Sequence, residues 1–311
     1  MTSRLGVLLM TYGSPRPDLR DLADYLAAVR GGRPVPDELV AEFRRRYEVI
    51  GGSPLIPITR RQAAAVEERL RSEGVDAVAG VGMRFSEPSI SRGIRDLVET
   101  GCGAVSAIIM SPQYSELLMA GYRRTIDAAV DELGLGAPNI RLAPAWYREP
   151  AFLDAVAERI RQGLRHLPEG APVLLTAHSL PKRIADEEPA YLDQLVDTAR
   201  LVATKAGLSA DRWMFCWQSA GHEPGEWMQP DLADVVPRIA SQGHSAVLVA
   251  PIQFLADHLE VLYDVDVGAR AQADEAGLAF ARIESLNLSP TFIGALASIA
   301  SSTQVAQLAE K

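Results

Sequence analysis

Two similar stretches of sequence organise this chain: Val7-Leu-Leu-Met-Thr-Tyr-Gly-Ser-Pro15 and Val173-Leu-Leu-Thr-Ala-His-Ser-Leu-Pro181, which align at an offset of 166 residues. Each contains an apolar run, typical of a buried parallel strand, that leads directly into a turn. A second pair, Ile108-Ile-Met-Ser-Pro112 and Val247-Leu-Val-Ala-Pro251, matches at an offset of 139. Apolar pentads can match by chance, but the longer match favours an internal duplication.

The duplication gives Tyr12 and His178 equivalent places, just beyond the first strand of each half. In open α/β sheets, ligands bind beyond the carboxyl ends of the strands. We therefore expect Tyr12 on one wall of a cleft and His178 on the other.

Short apolar runs alternate with longer amphipathic ones along the chain, as is typical of parallel sheets covered by helices. The predicted strands are 5–11, 76–81, 104–111, 140–143, 172–177, 212–217, 245–250 and 278–283. The predicted helices include 60–73, 89–99, 121–133, 151–165, 189–206, 230–242 and about 290–300. Because 311 residues exceed what one core usually supports, we predict two α/β domains, 1–145 and 146–289, and a C-terminal helix within 290–311.

Composition excludes several classes of function. A formal net charge of −9 argues against a nucleic-acid partner, because phosphate binding needs a dense field of Lys and Arg. With only two cysteines, Cys102 and Cys216, a disulfide framework or a multi-cysteine metal site is not expected. The sequence also has no apolar run long enough to span a membrane. We expect a monomeric cytoplasmic protein.

His178 follows the apolar run Val173-Leu-Leu-Thr176 and is the first candidate for chemistry. A neutral imidazole can serve as a base or as a ligand for a metal such as Fe²⁺. It can equally be a strand-end histidine that only hydrogen-bonds to the backbone, and this motif alone leaves both interpretations open.

The segment 254–266 holds the second set of candidates. Four possible ligands occur close together in it: Asp257, His258, Glu260 and Asp264. In a helix the three carboxylates share one face. Their apolar neighbours predict partial burial, and buried carboxylates without partners are costly, which indicates a bound cation or proton transfer. A solvated helix face is the alternative.

Two loops carry weaker signals. The turn Gly51-Gly-Ser53 lets the backbone approach a flat ligand closely, although such a turn is commonly nothing more than a turn. Trp217 and Trp227 belong to one loop after a strand, where they can wall in a flat apolar ligand or simply cover the core.

Taken in order, these motifs resemble the ferrochelatase family. The matching segments are Tyr12-Gly13, Arg46-Tyr47, Ile50-Gly-Gly-Ser-Pro54, Ala177-His-Ser-Leu-Pro181, Trp217-Gln-Ser219, Pro230-Asp231 and Asp257-His-Leu-Glu-Val-Leu-Tyr-Asp264. The resemblance implies two flavodoxin-like (Rossmann-type) domains with parallel sheets that face a central porphyrin cleft. It implies a lyase of heme biosynthesis that inserts ferrous iron into a porphyrin.

The resemblance also implies residue roles. His178 and Glu260 would be the catalytic and metal-binding residues, and the porphyrin contacts would be Tyr12, Arg30, Arg46, Tyr47, Ser53 and Tyr122. Propionates need cations, for which Arg30, Arg46, Arg84 and Arg123 are candidates. The compact form is similar to the bacterial branch associated with coproporphyrin III, which carries four propionates where protoporphyrin IX has two.

The chain departs from the family's patterns at three places. The Gly-Gly-Ser-Pro54 turn is one residue shorter than the usual form, and Gly268 stands where some relatives have a glutamate, which argues against an auxiliary outer metal site. Some members hold a [2Fe-2S] cluster through four cysteines, which two cysteines cannot do. We expect no permanently bound cofactor, with Fe²⁺ as a substrate.

Two other functions share parts of this pattern. A two-lobed solute-binding protein would also have duplicated α/β domains and a cleft, but it would normally be exported. A chelatase that acts on protoporphyrin IX, or on another tetrapyrrole with cobalt or nickel, would share the same site chemistry.

Overall fold

The computed structural model describes residues 4–134, 138–220 and 226–305. All eight predicted strands are present, with ends displaced by at most two residues. They are β1 (Leu5–Thr11), β2 (Ala77–Met83), β3 (Ala104–Ile109), β4 (Asn139–Leu142), β5 (Val173–His178), β6 (Trp213–Gln218), β7 (Ala246–Pro251) and β8 (Ala279–Arg282).

Helices connect the strands throughout. They are α1 (Leu22–Val29), α2 (Asp37–Val49), α3 (Leu55–Ser72), α4 (Ile90–Glu99), α5 (Glu116–Leu133), α6 (Pro150–Leu164), α7 (Lys182–Glu187), α8 (Pro189–Ala206), α9 (Leu232–Ser241), α10 (Arg270–Glu275) and α11 (Pro290–Val305). A π-helix, Glu260–Ala269, precedes α10. No helix within the described ranges is long and apolar enough to cross a membrane.

The two sheets repeat one topology. The first has the order β2-β1-β3-β4 and the second has the order β6-β5-β7-β8, with every neighbouring pair parallel. This order is the beginning of the flavodoxin-like arrangement. The predicted duplication of an α/β half is confirmed, and Tyr12 and His178 lie at equivalent strand ends.

The strand register corrects one predicted alignment. Leu9 pairs with Ile108 in the first sheet, and Leu175 pairs with Ala250 in the second. Since Leu9 and Leu175 are equivalent, Ile108 corresponds to Ala250, an offset of 142. The predicted offset of 139 was wrong by three residues, because buried apolar strands look alike in several registers.

The chain forms two compact units. The first unit comprises Met1–Pro112, Leu118–Trp146 and Asn287–Lys311, and the second comprises Gln113–Leu117 and Tyr147–Leu286. Each has its own core; in the second, residues of β7 such as Val247 and Val249 pack against buried side chains of α9 and the π-helix.

The C-terminal helix was predicted as a separate piece, 290–311. In the structure α11 belongs to the first unit, where it packs against α3 and β3. Leu296 and Ala300 on α11 are fully buried, and the Ala300 carbonyl accepts a hydrogen bond from Ser106 Oγ at 2.7 Å. The helix joins the first unit because its apolar face covers that sheet; residues 306–311 lie outside the described ranges.

Candidate active site

His178 is the last residue of β5, and two contacts fix its position. Its backbone N–H donates to Gln253 Oε1 at 2.9 Å, and its ring Nδ1 is hydrogen-bonded to the Ser179 carbonyl. A carbonyl oxygen only accepts, so Nδ1 carries the proton and Nε2 of the neutral ring has a lone pair. The half-buried ring therefore presents a base or a metal ligand at Nε2.

His258 adopts the same arrangement. Its Nδ1 is hydrogen-bonded to the Ala256 carbonyl at 2.9 Å, and its ring packs edge-on against Phe254 with 4.6 Å between centroids. The neutral ring therefore also carries its lone pair on Nε2. His258 was one of four candidates in its segment, but residues two positions apart do not share a face of a helix, so helical spacing does not predict its place beside Glu260.

Glu260 brings the two histidines together. Its Oε2 lies 3.8 Å from His178 Nε2 and 3.7 Å from His258 Nε2. Two imidazole lone pairs and a carboxylate oxygen therefore face one another, and none of them can donate a hydrogen bond while the rings are neutral. Such a group of acceptors is stabilised by a cation, which is either a proton or a metal ion.

The pKa values of these groups are coupled. Burial by itself would raise the pKa of Glu260, but the charge of His178 and the hydrogen bond and charge of His258 lower it to about 2. Burial by itself would lower the pKa of His258, but its interactions with Glu260 raise it above its ordinary value. Near neutral pH, Glu260 is therefore ionised. His258 stays protonated up to a higher pH than an ordinary histidine does.

This coupling predicts a pH dependence. The family resemblance implies that Fe²⁺ is the ion that arrives here, and iron would compete with the proton that the raised pKa keeps on His258 above pH ~6.5. We therefore expect kcat/KM for Fe²⁺ to fall about tenfold per pH unit on the acidic side. In His258→Asn the acidic limb should move to lower pH. Anaerobic rates of wild type and His258→Asn, measured from pH 6 to 9, test this. The same decrease in kcat/KM at acidic pH in both proteins would contradict it.

The segment that carries Glu260 is not one regular α-helix over 254–266, the geometry in which its three carboxylates would share one face. Helical structure begins after His258, and Glu260 starts a π-helix, a rare geometry frequently found at functional sites. Asp257 precedes the helix, and its Oδ1 accepts a hydrogen bond from Ser285 Oγ at 2.7 Å. Asp257 and Glu260 therefore do not share a helical face, because the condition for that expectation, a helix that includes both residues, is not met.

The three side chains do not form a closed metal cage. Although His178, His258 and Glu260 are neighbours, no group of three or more His, Cys, Asp or Glu side chains in the described part of the chain has the arrangement needed to hold a metal ion. The half-buried Asp264 lies on the π-helix with Glu260. Both cysteines are buried and neither forms a disulfide.

In the first unit, Tyr12 belongs to an aromatic cluster around Arg84. The Arg84 guanidinium carbon lies 4.7 Å from the ring centroid of Phe85, 5.3 Å from that of Tyr122 and 5.7 Å from that of Tyr12. Nη1 of Arg84 donates to the Leu118 carbonyl at 2.8 Å. Tyr12 is the exposed member of the cluster, so Arg84 supports it from within the unit.

Tyr122 is only 2% exposed, and burial raises the pKa of its hydroxyl. Its ring meets that of Tyr12 edge-on at 6.5 Å. The adjacent Gly121 makes room for Arg84, because a Cβ there would lie 2.3 Å from Arg84 Nη2. The structure thus places Tyr122 behind Tyr12 and not at the surface.

We expect Arg84→Met to destabilise the first unit by about 2 kcal/mol, because it removes a partly buried cation–π cluster and a charged hydrogen-bond donor. Thermal unfolding measures the loss. Arg123→Met is the matched control, since Arg123 follows Tyr122 on α5 and is exposed. Equal melting temperatures for the two variants would show that the cluster contributes no stability.

The remaining predicted porphyrin contacts lie on α1, on α2 and in the following loop. Arg30 ends α1, and its Nε is buried without a hydrogen bond among the described residues. Arg46 Nε donates to Glu42 at 2.8 Å, and the adjacent Tyr47 is 4% exposed. Ser53 Oγ accepts from the backbone of Leu55, at the start of α3.

The tryptophan loop is described only in part. Trp217 is buried and packs edge-on against Phe215 at 5.0 Å, so it serves the core of the second unit. Trp227 is half-buried, and Pro181 pairs with it in an isolated antiparallel bridge. Residues 221–225 lie outside the described ranges.

A family model described as ferrochelatase matches residues 4–304, nearly the whole chain. The chain belongs to the ferrochelatase family. The resemblance inferred from the ordered motifs is confirmed. The protein is therefore a metal chelatase that inserts iron into a porphyrin in heme biosynthesis.

Individual ferrochelatases agree with this assignment over almost their full length. The ferrochelatase of Deinococcus radiodurans is 40% identical over 300 residues, which cover 95% of this chain and 94% of that protein. The coproporphyrin III ferrochelatase of Geobacillus kaustophilus is 37% identical over 303 residues, 94% of each chain.

Solved structures support the fold. SirB from Bacillus subtilis, determined with Fe³⁺, superposes with a TM-score of 0.58 over 96% of this chain and 95% of its own. The sequence identity is 12%, so this likeness establishes the duplicated α/β fold alone.

Proposed function

We propose that the porphyrin is coproporphyrin III and that His178 and Glu260 handle the iron and the pyrrole protons. The observation that carries the residue assignment is the approach of two Nε2 lone pairs to one oxygen of Glu260. The assignment of the porphyrin rests on relatives, including the one from Geobacillus kaustophilus, that are coproporphyrin III ferrochelatases.

The reaction sets clear chemical requirements. Fe²⁺ must lose water ligands, the flat macrocycle must deform, and two pyrrole N–H protons must leave as iron forms bonds to the four nitrogens. Binding energy from the rest of the macrocycle can drive the deformation. His178 Nε2 is a suitable proton acceptor, and the carboxylate of Glu260 is a suitable oxygen ligand for the arriving ion.

The few protein ligands around Glu260 are appropriate for Fe²⁺ that is a substrate and must leave the protein again. A closed protein cage would retain Fe²⁺ and oppose its transfer to the four porphyrin nitrogens. The group around Glu260 instead attracts a cation without enclosing it. As Fe²⁺ leaves these groups for the ring, the same groups can accept the two protons that the pyrrole nitrogens release.

The first unit offers groups that suit the porphyrin. Tyr12 presents an exposed aromatic ring, and the half-buried Arg30 supplies a cation that suits a propionate carboxylate. We propose the same role for Arg46, whose guanidinium is held in place by Glu42. Tyr47 and Tyr122 are buried, and we propose that they support the surface that meets the macrocycle.

An anaerobic insertion assay tests the proposal. Purified protein is mixed with Fe²⁺ and either coproporphyrin III or protoporphyrin IX, and the visible spectrum is followed. We expect faster metallation of coproporphyrin III. Metallation of neither porphyrin would overturn the proposed activity, whereas faster metallation of protoporphyrin IX would overturn only the choice of substrate. Addition of Co²⁺ or Ni²⁺ during turnover then ranks the metals.

Four expectations stay predictions: the absence of a resident cofactor, the monomeric state, the cytoplasmic location and the central cleft. Iron analysis of purified protein tests the first, and light scattering tests the second.

A further inference from the structure

Arg282 is the last residue of β8, and each of its three side-chain nitrogens has a partner within the protein. Its Nε and Nη2 each lie 2.8 Å from an oxygen of Asp266, in a two-pronged ion pair. Nη1 donates to the Ile283 carbonyl at 2.7 Å and to Ser285 Oγ at 3.2 Å. Nη2 also lies 3.5 Å from Asp257 Oδ1. The side chain is 13% exposed, so these contacts are largely shielded from water.

The partners of Arg282 flank His258 and Glu260, two of the three residues that approach one another at the candidate site. Asp257 directly precedes His258, and Asp266 lies on the π-helix that begins with Glu260. Ser285 strengthens the connection, because it accepts from Arg282 and donates to Asp257. A single guanidinium on a sheet strand therefore holds the chain both before His258 and after Glu260.

The duplicated fold provides an internal comparison. Ala107 pairs with Leu142 in the first sheet, and Val249 pairs with Arg282 in the second. Ala107 and Val249 are equivalent at the offset of 142, so Leu142 occupies the place of Arg282. An aliphatic side chain there cannot form ion pairs. An arginine at this position is therefore not needed to build the sheet, since the equivalent strand of the first sheet has a leucine. It occurs in the half of the chain that carries Glu260.

We propose that Arg282 is a positioning residue for iron insertion: through Asp257 and Asp266 it holds His258 and Glu260 at the separation that iron and proton transfer need. This inference rests on the proposed function. Arg282 does not itself meet a substrate, because all three of its nitrogens are engaged within the protein. Groups that orient metal ligands commonly change activity by 10- to 100-fold when they are altered.

Arg282→Lys is the principal test, because it keeps the charge but cannot form the two-pronged pair and the other contacts together. We expect kcat/KM for Fe²⁺ to fall at least about tenfold, while the dissociation constant for the porphyrin stays within about twofold of wild type. Arg270→Lys is the matched control: Arg270 is exposed and donates from Nε to the backbone carbonyl of Asp266, without an ion pair to either aspartate. It should retain wild-type kinetics.

A milder variant keeps the inference testable if Arg282→Lys does not fold. Ser285→Ala removes the hydroxyl between Arg282 and Asp257 but leaves the pair with Asp266, and it should lower kcat/KM for Fe²⁺ severalfold with unchanged porphyrin binding. Wild-type kinetics in folded Arg282→Lys, or in Ser285→Ala if the first variant is unfolded, would overturn the positioning role. An inactive wild-type protein would instead overturn the proposed function.

Discussion

His178→Ala is expected to lower iron insertion by about 10²- to 10⁴-fold, because it removes the Nε2 base or ligand that approaches Glu260. Porphyrin binding should persist, since the predicted porphyrin contacts lie in the first unit and His178 lies in the second. The measurements are the initial rate of metallation under anaerobic conditions and porphyrin binding by fluorescence.

The same variant should fold. The backbone N–H of residue 178 can still donate to Gln253, and the lost ring contact is a hydrogen bond to the adjacent Ser179 carbonyl, worth about 1 kcal/mol. His166→Ala is the matched control, because His166 is exposed. Near-wild-type turnover by folded His178→Ala would exclude His178 from the chemistry.

Glu260→Gln should reduce the rate by about 100-fold or more, because the amide keeps the shape of the side chain but cannot supply the negative charge that attracts Fe²⁺. Its NH₂ group can donate to the histidine lone pairs, so the local structure should survive. Removal of the carboxylate also removes the interactions with Glu260 that raise the pKa of His258, and that pKa should fall, although the Ala256 carbonyl and Asp257 still favour the protonated ring.

Rate and histidine titration can be measured on the same protein, by metallation and by NMR of the imidazole signals. Glu275→Gln, on the exposed end of α10, provides the control for loss of one negative charge in the second unit. Unchanged kinetics in Glu260→Gln would show that another residue binds the metal or accepts the protons. An unchanged His258 titration would argue against the coupling between these side chains.

The fold was largely predictable because its strands are buried. β1 and β7 are buried along their whole length and are therefore continuous apolar runs in the sequence, and the predicted start of the last helix at about residue 290 agrees with the start of α11 at Pro290. The same uniformity explains the three-residue error in the second offset, since hydrophobicity does not distinguish one register of an apolar strand from another.

The carboxylate segment was less predictable, because distant residues determine its geometry. Helical spacing placed Asp257 beside Glu260, but Asp257 contacts Ser285 and Arg282 from a non-helical stretch. Local periodicity carries no information about these downstream partners. For the same reason, residue patterns alone could not place His178 near Glu260; that pairing came from the family resemblance.

The difference in burial between Tyr12 and Tyr122 could not be predicted from the sequence either. Tyr12 and Tyr122 looked alike as aromatic candidates, yet Tyr12 is 44% exposed and Tyr122 lies behind it against Arg84. The sequence predicts Arg84 only as a partner for propionates. Its contacts with three aromatic rings arise because the fold brings the ends of β1 and β2 together with α5.

The division of the chain into units bears on how the protein folds during synthesis. The residues that α11 supplies to the first unit, including fully buried Phe292 and Leu296, follow the entire second unit in the chain. At typical rates of translation, the ribosome needs on the order of ten seconds to make the intervening segment 147–286. The second unit can therefore fold first, while the apolar surface of α3 and β3 that α11 later covers is still exposed. This stage of synthesis is the one most prone to aggregation.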